Sequence, residues 1–318
     1  MFYIVYLHNH PAQSPWNGLI LGPFWDCGSP KVVVLMFFFF SGWLQKTRCR
    51  FLDWRKYLYF IIPMIIWNFV YLAITKGINA ESIKELLPVG ICPTFYHVNP
   101  ALWFLDELAR LSLLMPLILR IPKSIRVVSM VLFLVAIYHA KALGLQPMHV
   151  YPRGVMDVMF FLGGTLLNGL DRAKISTYVM KAAPWGTLFG VLYYLKEMYP
   201  VADIPSIPTY TPWYAMVGLC VILCYGATIS RFAPRIAKAL ASIAPAMFFI
   251  YVMHFPLFAL WGQLQEISPA FVLNPKLQVL SPVICFVIGC SLWKLAYKYL
   301  PDKVAKWVFL VKKPKARS

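Results

Sequence analysis

Charge of either sign is scarce in this chain, and acid is scarcest. Only 13% of the 318 residues are Asp, Glu, Lys or Arg, and 12 acids stand against 30 basic residues. With 60% hydrophobic residues, so little charge excludes a water-soluble domain of this length, whose surface would have to be solvated. The signatures of several soluble enzyme classes are missing too. There is no Gly-x-Ser-x-Gly elbow, no P-loop and no Gly-x-Gly-x-x-Gly turn before a helix. Cys-x-x-Cys pairs and His-x-x-x-His spacing are absent, so no metal centre is expected. The seven cysteines read as small buried hydrophobes. A disulfide between Cys27 and Cys92, in expected outer loops, stays an open alternative. The first residues lack the basic start and small-residue cleavage site of a signal peptide.

What the chain has instead is long apolar runs. Nine segments predict membrane-spanning helices, near 29–45, 57–75, 100–120, 125–141, 154–170, 180–196, 212–230, 243–262 and 279–300. An isolated helix satisfies its own backbone in lipid, and the short alternating segments of a barrel are absent. Met1–Asn9 is apolar but only half a span. The expected fold is all-α: a polytopic membrane helical bundle of nine full transmembrane helices plus a partial first one. It forms a single domain over 1–300, followed by a basic cytoplasmic tail over 301–318.

The basic excess would suggest nucleic acid in a soluble protein. Here the positive-inside rule accounts for it, and no nucleic-acid partner is expected. The segments 45–56, 120–126, 171–181, 231–238 and the chain from Lys298 hold 21 of the 30 basic residues and only three acids, Asp53, Asp171 and Asp302. That asymmetry places both termini in the cytoplasm and the chain in a cell membrane as a multi-pass protein. Membrane lipid is then a partner, with the final KKPKARS lying near anionic headgroups.

Polar residues inside the apolar runs are the candidates for chemistry. Asp106, Glu107 and Arg110 share one span, and each costs about 2.5–3.5 kcal/mol at a helix centre unless it faces the bundle interior. Their i, i+4 and i, i+3 spacing lets one face carry an ion pair. Two readings stay open: a structural salt bridge, or the polar lining of a substrate cavity. Asp157 and Lys294 lie near span ends, where they can snorkel. His254, in FFIYVMHFPLF, falls about 16 Å along its helix, near mid-membrane. It is either a core histidine bonded to another helix or part of a polar cavity. His8, at the end of the first fragment, reads on its own as an interfacial residue. Gly163-Gly164 reads as close helix packing.

Several blocks in order carry a resemblance. They are YIVYLH at 3–8, VVVLMFFFFSGWL at 32–44, WRKYLYFIIPMIIW at 54–67, ALWFLDELARLSLLMPLI at 101–118, MFFLGGTLL at 159–167 and FFIYVMHFPL at 248–257. Together they resemble the acyltransferase 3 family of bacterial integral-membrane acyltransferases. The resemblance implies ten helices in the bacterial inner membrane and transfer of an acyl group, usually acetyl from acetyl-CoA. The acceptor would be a hydroxyl of a cell-surface or lipid-linked saccharide.

The resemblance also implies roles. His8 matches the histidine that closes the family's first helix and becomes the general base, with Asp106 or Glu107 orienting it. Arg48, Arg50, Arg55 and Lys56 are either the donor's phosphate-binding charges or determinants of topology alone, and Trp103, Arg110 and His254 form the substrate cavity. The sequence departs from the family at three places. The basic residue expected about ten positions before His8 would precede Met1. The Arg-x-x-Arg approach to helix three reads Lys56-x-x-Tyr59. The Arg position after Trp103-Phe104 carries Asp106. Two other readings therefore accompany the enzymatic one: a non-enzymatic transporter of a glycan or lipid-linked sugar, and an inactive truncated homologue.

Overall fold

A computed structural model describes residues 29–44, 54–82, 84–85, 98–99, 102–142, 152–198, 212–268 and 275–308. Met1–Asn9 with His8, together with Arg48, Arg50, Cys27, Cys92 and the final KKPKARS, lies outside the described residues.

Among the described residues the chain is helical and contains no strand. The helices are α1 (Ser29–Leu44), α2 (Trp54–Thr75), α3 (Trp103–Arg120), α4 (Lys123–Ala142), α5 (Pro152–Leu166), α6 (Arg172–Met198), α7 (Pro212–Phe232), α8 (Pro234–Ile243), α9 (Met247–Ile267), α10 (Pro275–Tyr299) and α11 (Asp302–Val308). A 3-10 turn at Ala244–Ala246 joins α8 to α9. Each of the nine expected segments is occupied by a helix.

The differences have local causes. α6 begins at Arg172 rather than near 180, because the Asp171 carboxylate accepts the Ala173 N–H at 2.9 Å and caps the helix. The segment 231–238, expected as a loop, is helical from Pro234, a residue suited to a first helical turn.

Two stretches, Tyr57–Thr75 and Pro234–Leu264, are long and apolar enough to cross a bilayer by length and composition. Val34–Leu44, Met156–Leu166 and Met216–Phe232 are shorter apolar helices. The exposed faces are apolar as well. Leu132 on α4 is 62% exposed, Trp185 on α6 is 75% exposed, and Leu192 on α6 and Leu295 on α10 also face outward. A surface of that kind suits lipid as its solvent.

The chain divides into two compact units, and α3 and α8 contribute residues to both. One comprises residues 18–53 and 113–238. There α1 packs on α5 with the two backbones in contact. A Cβ at Gly164 would stand 1.9 Å from the Phe39 carbonyl oxygen, and one at Gly42 would stand 2.1 Å from that of Phe161. The close-packing expectation holds for Gly164. Arg126, expected among loop charges, is buried in the first turns of α4. Its Nη1 donates to Thr165 Oγ1 at 2.8 Å and to the Thr165 carbonyl at 3.1 Å, while Nε donates to the Ile121 carbonyl at 3.2 Å. Asp157, on α5, is buried and does not snorkel to a surface. α6 packs on α7 through Ala183, Gly186 and Gly190, and the Thr187 and Thr228 hydroxyls meet at 2.8 Å.

The other unit comprises residues 1–17, 54–112 and 239–318. α2 packs on α9, α9 on α10, and α11 on α2. Met64, Leu72, Leu102, Leu105, Phe249 and Ile250 form its fully buried centre. Trp67 meets Phe249 edge-on with ring centroids 5.6 Å apart. Trp67 also donates from Nε1 to the Val308 carbonyl at 2.9 Å. The start of the segment expected as a basic tail is thus a helix held against α2.

Candidate functional site

Polar side chains in the second unit sit on an apolar scaffold, and two of them, Asn68 and Asn99, satisfy backbone groups. α2 carries Asn68 in the middle of IIPMIIWNFVYL, fully buried. Its Nδ2 donates one turn back to the Met64 carbonyl at 2.9 Å. Its Oδ1 accepts two backbone N–H groups, from Val98 at 2.7 Å and Asn99 at 2.9 Å. A carbonyl oxygen offers two lone pairs, so both acceptor sites of Oδ1 are used.

Asn99 is fully buried too and stands four residues before α3. Its carbonyl accepts the Leu102 N–H at 3.1 Å. Its Nδ2 reaches α9 and donates to the Val252 carbonyl at 3.2 Å. That carbonyl would ordinarily accept from the residue four positions later, which is Pro256 and has no N–H. The proline that leaves this carbonyl without its helical partner and the asparagine that supplies one lie 157 positions apart in sequence, by subtraction of the two residue numbers.

α3 presents Trp103 and Phe104 in its first turn. Phe104 packs edge-on against Tyr251 of α9, centroids 5.1 Å apart, and against Phe248 at 6.5 Å. One turn on, Arg110 Nη2 donates to Asp106 Oδ2 at 2.6 Å, and Arg110 Nη1 stands 3.9 Å from Glu107 Oε2. The ion pair expected from the spacing is present. Asp106 is 5% exposed, and its Oδ1 has no hydrogen-bond partner among the described residues.

His254, on α9, is fully buried among the rings of Tyr251, Phe255 and Phe258. Its Nδ1 stands 2.5 Å from the Tyr251 carbonyl. A carbonyl can only accept, so Nδ1 carries the hydrogen. In the neutral ring Nε2 then holds the lone pair, the arrangement a base or hydrogen-bond acceptor needs.

The structure thus brings Trp103, Asp106, Glu107, Arg110 and His254 into one unit, on the contacting helices α3 and α9. Arg55 and Lys56 belong to the first turn of α2, whose N–H groups add positive character to that end. His8, Arg48 and Arg50 fall outside the described residues. Sequence reasoning passed over Asn68, Asn99 and Arg126. The available signals were an amide inside an apolar run for Asn68 and the Asn-Pro pair before α3 for Asn99.

No curated protein and no solved structure matches the chain. A family model described as an acyltransferase domain, Acyl_transf_3, matches residues 1–295. With that match running through every helix of the scaffold up to α10, the chain belongs to the acyltransferase 3 family, and its helical body is a membrane acyltransferase domain.

Proposed function

We propose that the protein is a membrane O-acyltransferase of the bacterial inner membrane. It moves an acyl group, acetyl by preference, from acyl-CoA to a hydroxyl of a cell-surface or lipid-linked saccharide. The observation that carries the reading is the family match over residues 1–295. The buried polar set of α3 and α9 supports it, because intramembrane ionisable groups are costly to keep and mark sites of function by default.

Both termini lie in the cytoplasm in this reading, and the basic residues Arg48, Arg50, Arg55 and Lys56 hold the phosphates of acetyl-CoA at that face. The pantetheine arm runs into the bundle and presents the thioester. The acceptor hydroxyl gives its proton to the imidazole of His8, and its oxygen forms the new bond to the thioester carbonyl carbon. The tetrahedral oxyanion collapses, the C–S bond breaks, and the leaving thiolate takes the proton back from the imidazolium. The products are an ester and free CoA. Asp106 or Glu107 orients the imidazole, while Trp103, Arg110 and His254 line the acceptor cavity, His254 accepting a hydroxyl hydrogen through Nε2.

Membranes carrying the full chain are incubated with acetyl-CoA labelled in the acyl group. Label is expected in the saccharide fraction, and His8→Ala should abolish it at unchanged protein abundance. Labelled saccharide appearing at equal rate in the His8→Ala membranes removes the base assignment. No label with any acyl-CoA, beside saccharide crossing the membrane, replaces the enzyme with a transporter.

A further inference from the structure

We infer that Asn99 is a positioning residue for His254: by satisfying the carbonyl that Pro256 orphans, it fixes the broken turn of α9 that carries the imidazole. The role rests on the acyltransferase reading and adds to it a residue outside the family-derived set.

Pro256 lacks the N–H that would close the turn with Val252, and a proline ring inside a helix crowds the carbonyl four residues before it, here that of Val252. A break of this kind is tolerated at membrane depth where other groups satisfy the freed backbone. Here the Asn99 amide does so at 3.2 Å. His254 stands two residues beyond Val252 and two before Pro256, inside the broken turn. The ring is tied to the same turn, because Nδ1 bonds the Tyr251 carbonyl, the neighbour of the one that Asn99 holds. Whatever fixes the turn therefore fixes the direction of Nε2.

Asn99 is itself held by its backbone. Asn68 accepts its N–H and that of Val98, so α2, the residues Val98 and Asn99 ahead of α3, and α9 meet through two buried amides. Hydrophobic residues at positions 256 and 99 together, the first bringing back an N–H, would pack such a junction with less polar burial. The pairing of a proline with a distant amide donor makes sense as a means of setting a turn geometry that a regular helix does not provide.

Rescue by a second substitution separates positioning from simple support. Full-length Asn99→Leu, Pro256→Ala and the double variant are purified in detergent. For each, the thermal midpoint and acyl transfer from acetyl-CoA are measured. Asn99→Leu should lower the midpoint, since it strands the Val252 carbonyl. Pro256→Ala in that background restores an N–H four residues from Val252 and should raise the midpoint back to that of the wild type. Transfer should remain about tenfold or more below wild type in the double variant, the loss falling on kcat with donor KM little changed, because the straightened turn re-aims His254. Pro256→Ala alone should keep the midpoint and lose transfer for the same reason.

Recovery of both midpoint and transfer in the double variant would make Asn99 a structural residue only and overturn the inference. An Asn99→Leu midpoint equal to that of the wild type would overturn it as well. Wild-type protein that unfolds cooperatively but transfers nothing from any acyl-CoA would instead remove the enzymatic reading and the positioning role with it. In that case the midpoints still read the hydrogen bond by itself.

Discussion

Arg110 grips Asp106 by one oxygen only: Nη2 donates to Oδ2 at 2.6 Å, and Oδ1 stays buried with no hydrogen-bond partner among the described residues. The two are one helical turn apart on α3, and Arg110 is the more exposed. Removing Arg110 strands a buried carboxylate. Arg110→Leu should therefore destabilise the protein by about 1–3 kcal/mol, a range that allows for the half-exposed guanidinium. Adding Asp106→Asn removes the charge and should restore most of that loss in a thermal unfolding measurement. Transfer activity decides the role. If the pair serves the reaction, through Asp106 at the base or Arg110 in the acceptor cavity, the stable double variant stays inactive; if the pair is only structural, activity returns with stability.

The pair was legible in the sequence because it is local: i, i+4 spacing on a helix places two side chains together whatever the rest of the fold does. The helices were legible for a similar reason, since an apolar run of nearly 20 residues has few alternatives in lipid. The Asn68–Asn99–Val252 junction was not. It joins residues 31 and 153 positions apart, and its logic depends on a missing N–H at Pro256 that has no meaning until α9 lies beside Asn99. Arg126 misled for a different reason. Its charge counts toward topology, but the side chain folds back onto Thr165, and only the packing of α4 on α5 reveals that. α11 was hidden because its residues are basic enough to read as tail, while its partner Trp67 sits in α2.

The crossing of α1 and α5 predicts a sharp contrast between neighbouring glycines. At Gly164 a methyl group would overlap the Phe39 carbonyl at 1.9 Å, a backbone atom that cannot rotate away. At Gly163 the nearest atom is the Met130 Sδ at 3.6 Å, an ordinary contact. Gly164→Ala should cost about 1–3 kcal/mol or more and reduce the yield of folded protein, as should Gly42→Ala. Gly163→Ala should be tolerated. Fluorescence-detected gel filtration of the three variants in detergent checks the contrast. Equal behaviour of Gly163→Ala and Gly164→Ala would argue against the backbone contact.

Arg126 and Thr165 predict a loss that charge alone does not explain. Thr165→Val keeps shape and leaves the carbonyl at position 165, but removes the hydroxyl that accepts from the buried guanidinium at 2.8 Å. Hydrogen bonds to charged groups contribute about 1.5–3 kcal/mol. The thermal midpoint of Thr165→Val should therefore fall, while Thr165→Ser, which keeps the acceptor, should stay closer to wild type. Arg126→Lys should resemble the loss, because a single ammonium cannot reproduce the fork that spans Ile121 and Thr165.

Trp67 and Val308 make the attachment of α11 measurable. The indole does two jobs: its ring packs on Phe249 and its N–H holds the Val308 carbonyl at 2.9 Å. Trp67→Phe keeps most of the first and deletes the second. A neutral hydrogen bond contributes about 0.5–1.5 kcal/mol net, which corresponds to a two- to tenfold rise in the population of undocked α11, to order of magnitude. Lys303 and Lys306 are exposed on α11, and trypsin cuts after lysine only when the local backbone opens. Digestion of the folded, full-length Trp67→Phe protein should therefore release the C-terminal peptide several times faster, with the midpoint of the whole protein barely changed. Trp307→Ala, which removes the ring 6.1 Å from Tyr59, should speed release further. If both variants were cut at the wild-type rate, the helix would have to be held by something other than these two contacts, since each substitution removes one of them while leaving the exposed lysines in place.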